Sequence, residues 1–339
     1  METRSLGPDG LLVSAVGLGC MGFSQGYGPG GGDDAVAVIR AAIDRGVTFL
    51  DTAVSYGSGH NEELVGRAIA GRREQVVLAS KFGIVRDPGG VRLDGAPEHV
   101  RGYCEQSLRR LGVDCLDLYY LHRIDPAVPI GETMGAMAEL VADGKVRHLG
   151  LSECDAGQLA QAAAVHPVTA VQLEWSLTWR EAEDDVIPAA RRAGAGIVPY
   201  SPLGRGMLTG ALPAGGFAPG DFRAGDPRFS GDHLDGNLAL VAAIRELAAG
   251  HGISPGQLAL AWLLAQGPDV VPIPGTRRAA RLAENAAAAG VRLSPADLAR
   301  LEEVAPRDAW GGDRRSFAAH GTERTSPGGG AGGPSRSTP

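Results

Sequence analysis

The sequence predicts a single (β/α)8 TIM barrel, and three observations carry that prediction. Eight short apolar runs read as strands: Ala15–Leu18, Thr48–Asp51, Val76–Lys81, Leu116–His122, Val146–Leu151, Ala170–Leu173, Gly196–Ser201 and Val270–Ile273. Most are continuous rather than alternating, as parallel strands covered on both faces require. Helical segments lie between them, and βα alternation implies parallel strands joined by crossover helices. Finally, Asp51, Lys81 and His122 close three of the first four runs, and the C-terminal strand ends are where such a barrel gathers its active site.

The elements follow in order. Thr3–Leu6 and Leu11–Ser14 flank Gly-Pro-Asp-Gly, a turn signal, and are expected to form a small hairpin before the barrel. In Asp33–Arg45, Val36, Ile39 and Ile43 share one helical face; two aspartates open the segment and Gly46 follows it. In Glu98–Leu111, Val100, Tyr103, Cys104, Ser107, Leu108 and Leu111 recur at helical spacing, and Gly112 stops the run. Ile130–Asp143 and Ala279–Ala289 have the same texture. Gly204–Gly236 holds nine glycines and three prolines, which is long for a simple connection and marks a functional lid or a disordered loop. Extra helices are expected at Asn237–Ala249 and Pro255–Leu264, before the eighth strand, and at Pro295–Val304 after it. The chain thus reads as one domain, 1–310, followed by a disordered Gly/Ser/Pro-rich tail, 311–339.

Composition narrows the function. The 339 residues are 44% hydrophobic and carry a net charge of −7, with no basic block before the tail, so no nucleic-acid partner is expected. The four cysteines, Cys20, Cys104, Cys115 and Cys154, lack metal-ligand spacing; free thiols in a reducing cytoplasm are the simplest reading. The N-terminus has no long apolar run, and no stretch reaches the roughly 18 apolar residues of a membrane helix. No metal site is expected, and no oligomer is indicated.

Gly17-Leu18-Gly19-Cys20-Met21-Gly22 matches G-x-G-x-x-G after an apolar run. A dinucleotide fingerprint needs a helix to begin there; the glycine-rich continuation to Gly32 is incompatible with one, so this reads as a loop above the first strand. Singly, Asp51 reads as a strand-end cap, Lys81 as a solvated lysine, Tyr56 as a loop aromatic and His122 as a satisfied histidine. Together they close strands two, three and four or lie just past them. An ammonium beside a phenol favours phenolate, and a carboxylate can hold that ammonium. The phenol is therefore expected to have a lowered pKa suited to proton transfer, with a histidine orienting a carbonyl oxygen beside it.

These residues resemble the catalytic tetrad of the aldo-keto reductases in identity, order and spacing. Further matches are Asp51-Thr52-Ala53 with Tyr56-Gly57 and Asn61-Glu62-Glu63-Leu64-Val65-Gly66, Gly144-Lys145-Val146-Arg147 with Gly150-Leu151-Ser152, Tyr200-Ser201-Pro202-Leu203-Gly204-Arg205-Gly206, and Pro274-Gly275-Thr276. The resemblance spans about residues 3–305 and is strongest to the bacterial and plant branch related to the potassium-channel β subunits. It implies NADPH-dependent reduction of a small aldehyde or ketone, with Tyr56 as proton donor. It further implies that Ser152 and Gln172 hold the nicotinamide carboxamide and that Tyr200 stacks on the ring. Ser201, Leu203 and Arg205 would cover the pyrophosphate, and Gly275, Thr276, Arg277, Arg281, Glu284 and Asn285 would surround the adenosine end. Arg277, Arg278 and Arg281 at the start of a helix oppose its dipole; an anion such as a 2′-phosphate would relieve the conflict. The chain departs from the pattern at Val54-Ser55, Glu153, Gly275 and Trp175. Trp175, Phe23 and the Gly204–Gly236 loop are candidates for the substrate pocket. Two rival readings are an NADPH-binding regulatory or redox-sensing subunit with little turnover, and a metal-dependent barrel hydrolase.

Overall fold

The structure, a computed structural model, describes residues 1–28, 34–87, 89–213 and 215–313. A hairpin of β1 (Thr3–Leu6) and β2 (Leu11–Ser14) comes first, paired as expected. The chain continues through β3 (Leu18–Gly19), α1 (Ala35–Asp44), β4 (Phe49–Asp51), α2 (His60–Ile69) and β5 (Val77–Phe82). A second hairpin, β6 (Ile84–Asp87) and β7 (Gly90–Leu93), precedes α3 (Pro97–Leu111). Next come β8 (Leu116–Leu121), α4 (Ile130–Ala142), β9 (Val146–Ser152), α5 (Ala156–Ala163), β10 (Ala170–Glu174), α6 (Val186–Arg192) and β11 (Gly196–Tyr200). Four helices complete the described chain: α7 (Gly231–Gly250), α8 (Pro255–Ala265), α9 (Ala279–Ala287) and α10 (Pro295–Val304).

Seven strands form one parallel sheet in the order β11-β10-β9-β8-β5-β4-β3. The eighth expected strand, Val270–Ile273, closes it without a continuous ladder. Val271 and Ile273 donate to the carbonyls of Ile197 and Pro199 at 2.9 and 3.0 Å, and Gly17 donates to Pro272 O at 2.9 Å. Pro272 and Pro274 have no N–H for the β3 side, so pairing there is sparse. The first strand is shorter and later than the expected Ala15–Leu18: on the β4 side the Ser14 hydroxyl accepts from Thr48 N and Phe49 N at 3.0 and 3.2 Å, and the ladder begins only at Leu18.

Strand alternation sorts the core into two regions. Phe49, Ala79, Leu118, Tyr120, Ala170, Val198 and Val271 pack inside the barrel, with Leu6 and Val13 of the N-terminal hairpin in the same cluster. Leu50, Leu78, Tyr119, Leu149, Val171 and Ile197 instead join the cluster that includes the helices' apolar faces. Tyr120 fills the interior because Gly150 leaves it room: a Cβ there would meet the tyrosine ring at 2.5 Å. The inward set continues to the rim as Asp51, Lys81, His122, Ser152, Gln172 and Tyr200, which share the parity of the interior residues.

Helices α2, α5 and α6 fall where βα alternation calls for helices, though the sequence reading set no bounds for them, and the hairpin β6–β7 was not expected. α7 begins six residues before Asn237, and α1 begins at Ala35, with Asp34 capping it through Ala37 N at 2.8 Å; Asp33 lies outside the described residues. Gly204–Gly236 contains short helical turns at Gly204–Thr209, Phe222–Gly225 and Pro227–Phe229. Of the expected tail, Gly311 exchanges hydrogen bonds with the Asn237 side chain at 2.8 and 3.0 Å; 314–339 lie outside the described residues.

Candidate active site

The rim is organised around Lys81. Its side chain is fully buried, and its Nζ donates to Asp51 Oδ1 at 2.5 Å, Thr52 O at 2.8 Å and Tyr56 OH at 3.2 Å. An ammonium has three N–H donors, and all three are used. Removing such a charge from water costs several kcal/mol unless it is paired; the three acceptors offset that cost and fix the phenol beside the amine. The second carboxylate oxygen of Asp51 accepts from Gln172 Nε2 at 2.8 Å.

A supporting layer lies behind this group. Thr52 donates from its hydroxyl to Asn61 Oδ1 at 2.7 Å, and Asn61 Nδ2 donates to Cys20 O and Ser24 Oγ, both at 2.8 Å. Buried Glu62 accepts from Ser80 Oγ at 2.7 Å and from Arg110 at 3.0 Å. The Asn61-Glu62 motif therefore holds the strands that present Thr52 and Lys81.

His122 stands edge-on to Tyr56, with ring centroids 5.7 Å apart, and its Nδ1 lies 3.4 Å from Ser55 Oγ. Burial, then the positive charges of Arg123, Lys81 and Arg86, hold its pKa far below the usual 6.5, so the imidazole is neutral. Burial works against the Lys81 ammonium, but Asp51 and Tyr56 outweigh it and raise its pKa. For Tyr56 the expectation of a lowered pKa is corrected. Lys81 does pull the phenol down, yet burial is the larger influence and pushes it above 10.

Asp51, Tyr56 and His122 line a cavity of about 370 Å³ together with Ser152, Gln172, Tyr200, Ser201 and Gly275. An adjoining cavity of about 130 Å³ is lined by Ser201, Leu203, Arg205, Gly275, Thr276, Arg281, Glu284 and Asn285. The two share Tyr27, Ser201 and Gly275, so fifteen of the sixteen sequence-predicted residues lie along one groove or, for Lys81, directly behind it.

The sixteenth, Arg277, donates to the carbonyls of Gly28 and Tyr27, both at 3.2 Å. α9 starts at Ala279, so Arg277 and Arg278 precede the helix and only Arg281 lies within its first turn. Arg205 borders the groove, but its guanidinium is committed to a buried ionic cluster, at 2.7 Å from Asp226 and 3.2 Å from Glu174. Arg228 pairs with the same two carboxylates, both at 2.7 Å.

Two pocket candidates are corrected. Trp175 is buried in the core, donating to Glu183 at 2.8 Å and packed edge-on to Trp262, and Phe23 packs against the same core. From the long loop, Phe222 reaches the cavity. Glu153, at the position where other branches place Asn, has φ 54°, a region Asn tolerates well; its carboxylate is held by Glu174 N at 2.9 Å. Ile84, Arg86 and Val91 of β6–β7 and Arg123 also line the cavity. The sequence Asp87-Pro88-Gly89-Gly90 is the turn signal that could have revealed that hairpin.

A family model described as the aldo/keto reductase family matches residues 15–306. The chain belongs to the aldo/keto reductase family. A Glycine max protein described as probable aldo-keto reductase 1 is 45% identical over 309 residues, covering 90% of this chain and 89% of that one. Among solved structures, the glycerol dehydrogenase of Gluconobacter oxydans is 31% identical with a TM-score of 0.82, covering 96% of this chain and 98% of that one. An aldo-keto reductase from Klebsiella pneumoniae in complex with NADPH is 32% identical with a TM-score of 0.68, covering 90% and 96%. An aldo/keto reductase is an oxidoreductase of carbonyl compounds, and the groove and rim described above occupy the face where a barrel of this class carries its active site. Among the described residues no helix is long and apolar enough to cross a membrane, and no group of three or more His, Cys, Asp or Glu side chains could hold a metal ion.

Proposed function

We propose that this chain reduces an aldehyde or ketone to the alcohol with NADPH, and that Tyr56 donates the proton. The observation that carries the reading is the buried Lys81 ammonium shared between Asp51 and the Tyr56 hydroxyl at the floor of the cavity.

The residues present fit the dinucleotide. Two cavities meet at Gly275, where a Cβ would press on Gly19 O at 3.0 Å and require the Gly19 backbone to shift. Ser152 and Gln172 would hold the carboxamide, Tyr200 would stack on the ring and Ser201–Gly206 would cover the pyrophosphate. Gly275, Thr276, Arg281, Glu284 and Asn285 would surround the adenosine end. Arg277 acts through the Tyr27–Gly28 backbone, which leaves Arg281 to meet a 2′-phosphate.

When bound, the reduced nicotinamide supplies hydride to the carbonyl carbon. Tyr56, protonated at neutral pH because burial raises its pKa, gives its proton to the carbonyl oxygen. Lys81 stabilises the phenolate left behind, and Asp51 keeps Lys81 charged. Neutral His122 donates a hydrogen bond to the same oxygen and stabilises developing negative charge. Consumption of NADPH with a simple aromatic aldehyde, lost in Tyr56→Phe, tests the reading. Tight NADPH binding with almost no turnover would favour the regulatory alternative.

A further inference from the structure

The hairpin β6–β7 brings an arginine to the cavity that the proposed reaction leaves without a task. Arg86 lines the cavity from an exposed position, and among the described residues its side chain makes no hydrogen bond or ion pair. The carboxylate in the described lining, Asp51, is held by Lys81 and Gln172. Arg123, also in the lining, adds a second positive charge, with Nη1 on His122 O at 2.7 Å and Ser152 Oγ at 3.2 Å. Among the described lining residues, Arg86 is thus a positive charge that no carboxylate meets.

Strand order separates Arg86 from the dinucleotide phosphates. The hairpin follows β5, which three strands, β8, β9 and β10, separate from β11, whereas Ser201–Gly206 follows β11 directly. The hairpin is also held in place. Asp94 N donates to Gly83 O at 3.0 Å and closes its base. The Asp94 carboxylate accepts from Tyr103 at 2.6 Å and from Arg92 at 2.9 Å, and lies 3.0 Å from His99 Nδ1. An exposed guanidinium that lines the cavity on a braced hairpin and has no partner is suited to a planar or tetrahedral oxyanion, which it can grip with two parallel N–H bonds.

Resting on the reductase reading, we propose that the carbonyl substrate carries an acidic group, a carboxylate or a phosphate ester, that docks on Arg86. Ile84 and Val91 of the same hairpin, with Phe222 and Tyr27, give apolar walls to the carbon frame between the acid and the carbonyl.

Matched aldehydes test this. Wild-type kcat/KM with NADPH is compared for 4-carboxybenzaldehyde and methyl 4-formylbenzoate, and for 4-formylphenyl phosphate and 4-methoxybenzaldehyde. The acid of at least one pair is expected to exceed its neutral partner by about tenfold or more, as one charge-assisted hydrogen bond allows, through a lower KM. The pair with the larger ratio identifies the anion. Arg86→Met should bring that ratio close to one, and Arg86→Lys should retain part of it, because the charge survives without the fork. Taking the ratio within each variant removes any general loss of folding. Calorimetry with NADP+ and 4-(hydroxymethyl)benzoate, its methyl ester and 4-(hydroxymethyl)phenyl phosphate reads anion preference without turnover. A binding preference removed by Arg86→Met in the absence of turnover would sink the reductase reading and support the anion site. Equal handling of acids and neutral partners, or ratios unmoved in Arg86→Met, overturns the proposal.

Discussion

Gln172 donates to Oδ2 of Asp51 at 2.8 Å while Lys81 occupies Oδ1. These residues are 121 positions apart, and the bond ties β10 to β4 across the barrel mouth. Gln172 thus holds the acid that holds the Lys81 amine, besides its proposed contact with the cofactor. Gln172→Leu is expected to lower kcat about tenfold, the worth of one hydrogen bond to a charged group, as well as weakening NADPH. Steady-state kinetics beside a fluorescence titration of NADPH separate the two effects; a change in binding alone would remove Gln172 from the proton-transfer apparatus.

Tyr56→Phe deletes the proposed proton donor and little volume. Its kcat for aldehyde reduction is expected to fall by roughly 100-fold to 10,000-fold, the usual worth of a positioned acid, with NADPH affinity near wild type. Wild-type rates in this variant would refute the assignment.

The pH dependence follows from burial. With the Tyr56 phenol above 10 and His122 far below 6.5, neither group changes charge between about pH 7 and 9. Reduction is expected to be flat there and to decline as the phenol ionises at higher pH. An inflection near 6.5 in kcat/KM, traced by His122→Gln to the imidazole, would contradict a neutral histidine. Stability has the matching sign: unfolded His122 gains a proton near 6.5 that the folded site resists, so this contribution is fully present above 6.5 and is lost as pH falls below it.

Arg281 and Arg277 are expected to behave differently. Arg281→Ala should weaken NADPH about tenfold more than NADH, because it removes a charge facing the proposed 2′-phosphate. Arg277→Ala should weaken both cofactors alike, since it loosens the Tyr27–Gly28 segment. Equal losses of NADPH and NADH in Arg281→Ala would remove the 2′-phosphate role.

The buried cluster of Arg205, Arg228, Glu174 and Asp226 anchors the long loop to the end of β10. Glu174→Gln leaves two buried guanidinium groups with one carboxylate and is expected to cost about 3–5 kcal/mol. Urea unfolding measures it, and a loss under 1 kcal/mol would show that solvent reaches the cluster.

The sequence by itself determined the barrel, its strand ends and the residues on its rim. Asp51, Lys81 and His122 were legible because apolar runs mark strands, and a period of two puts their side chains on the interior face. Tertiary structure alone decided what those groups do to one another. The Tyr56 phenol is acidified by its neighbour yet raised by its burial, and the larger influence depends on walls from Met21 to Gly275. Trp175 left the pocket, Arg205 was consumed by a loop carboxylate and Arg86 arrived on a hairpin for the same reason: desolvation and charge pairing depend on neighbours distant in sequence, whereas helix and strand periodicity depend on neighbours a few residues away.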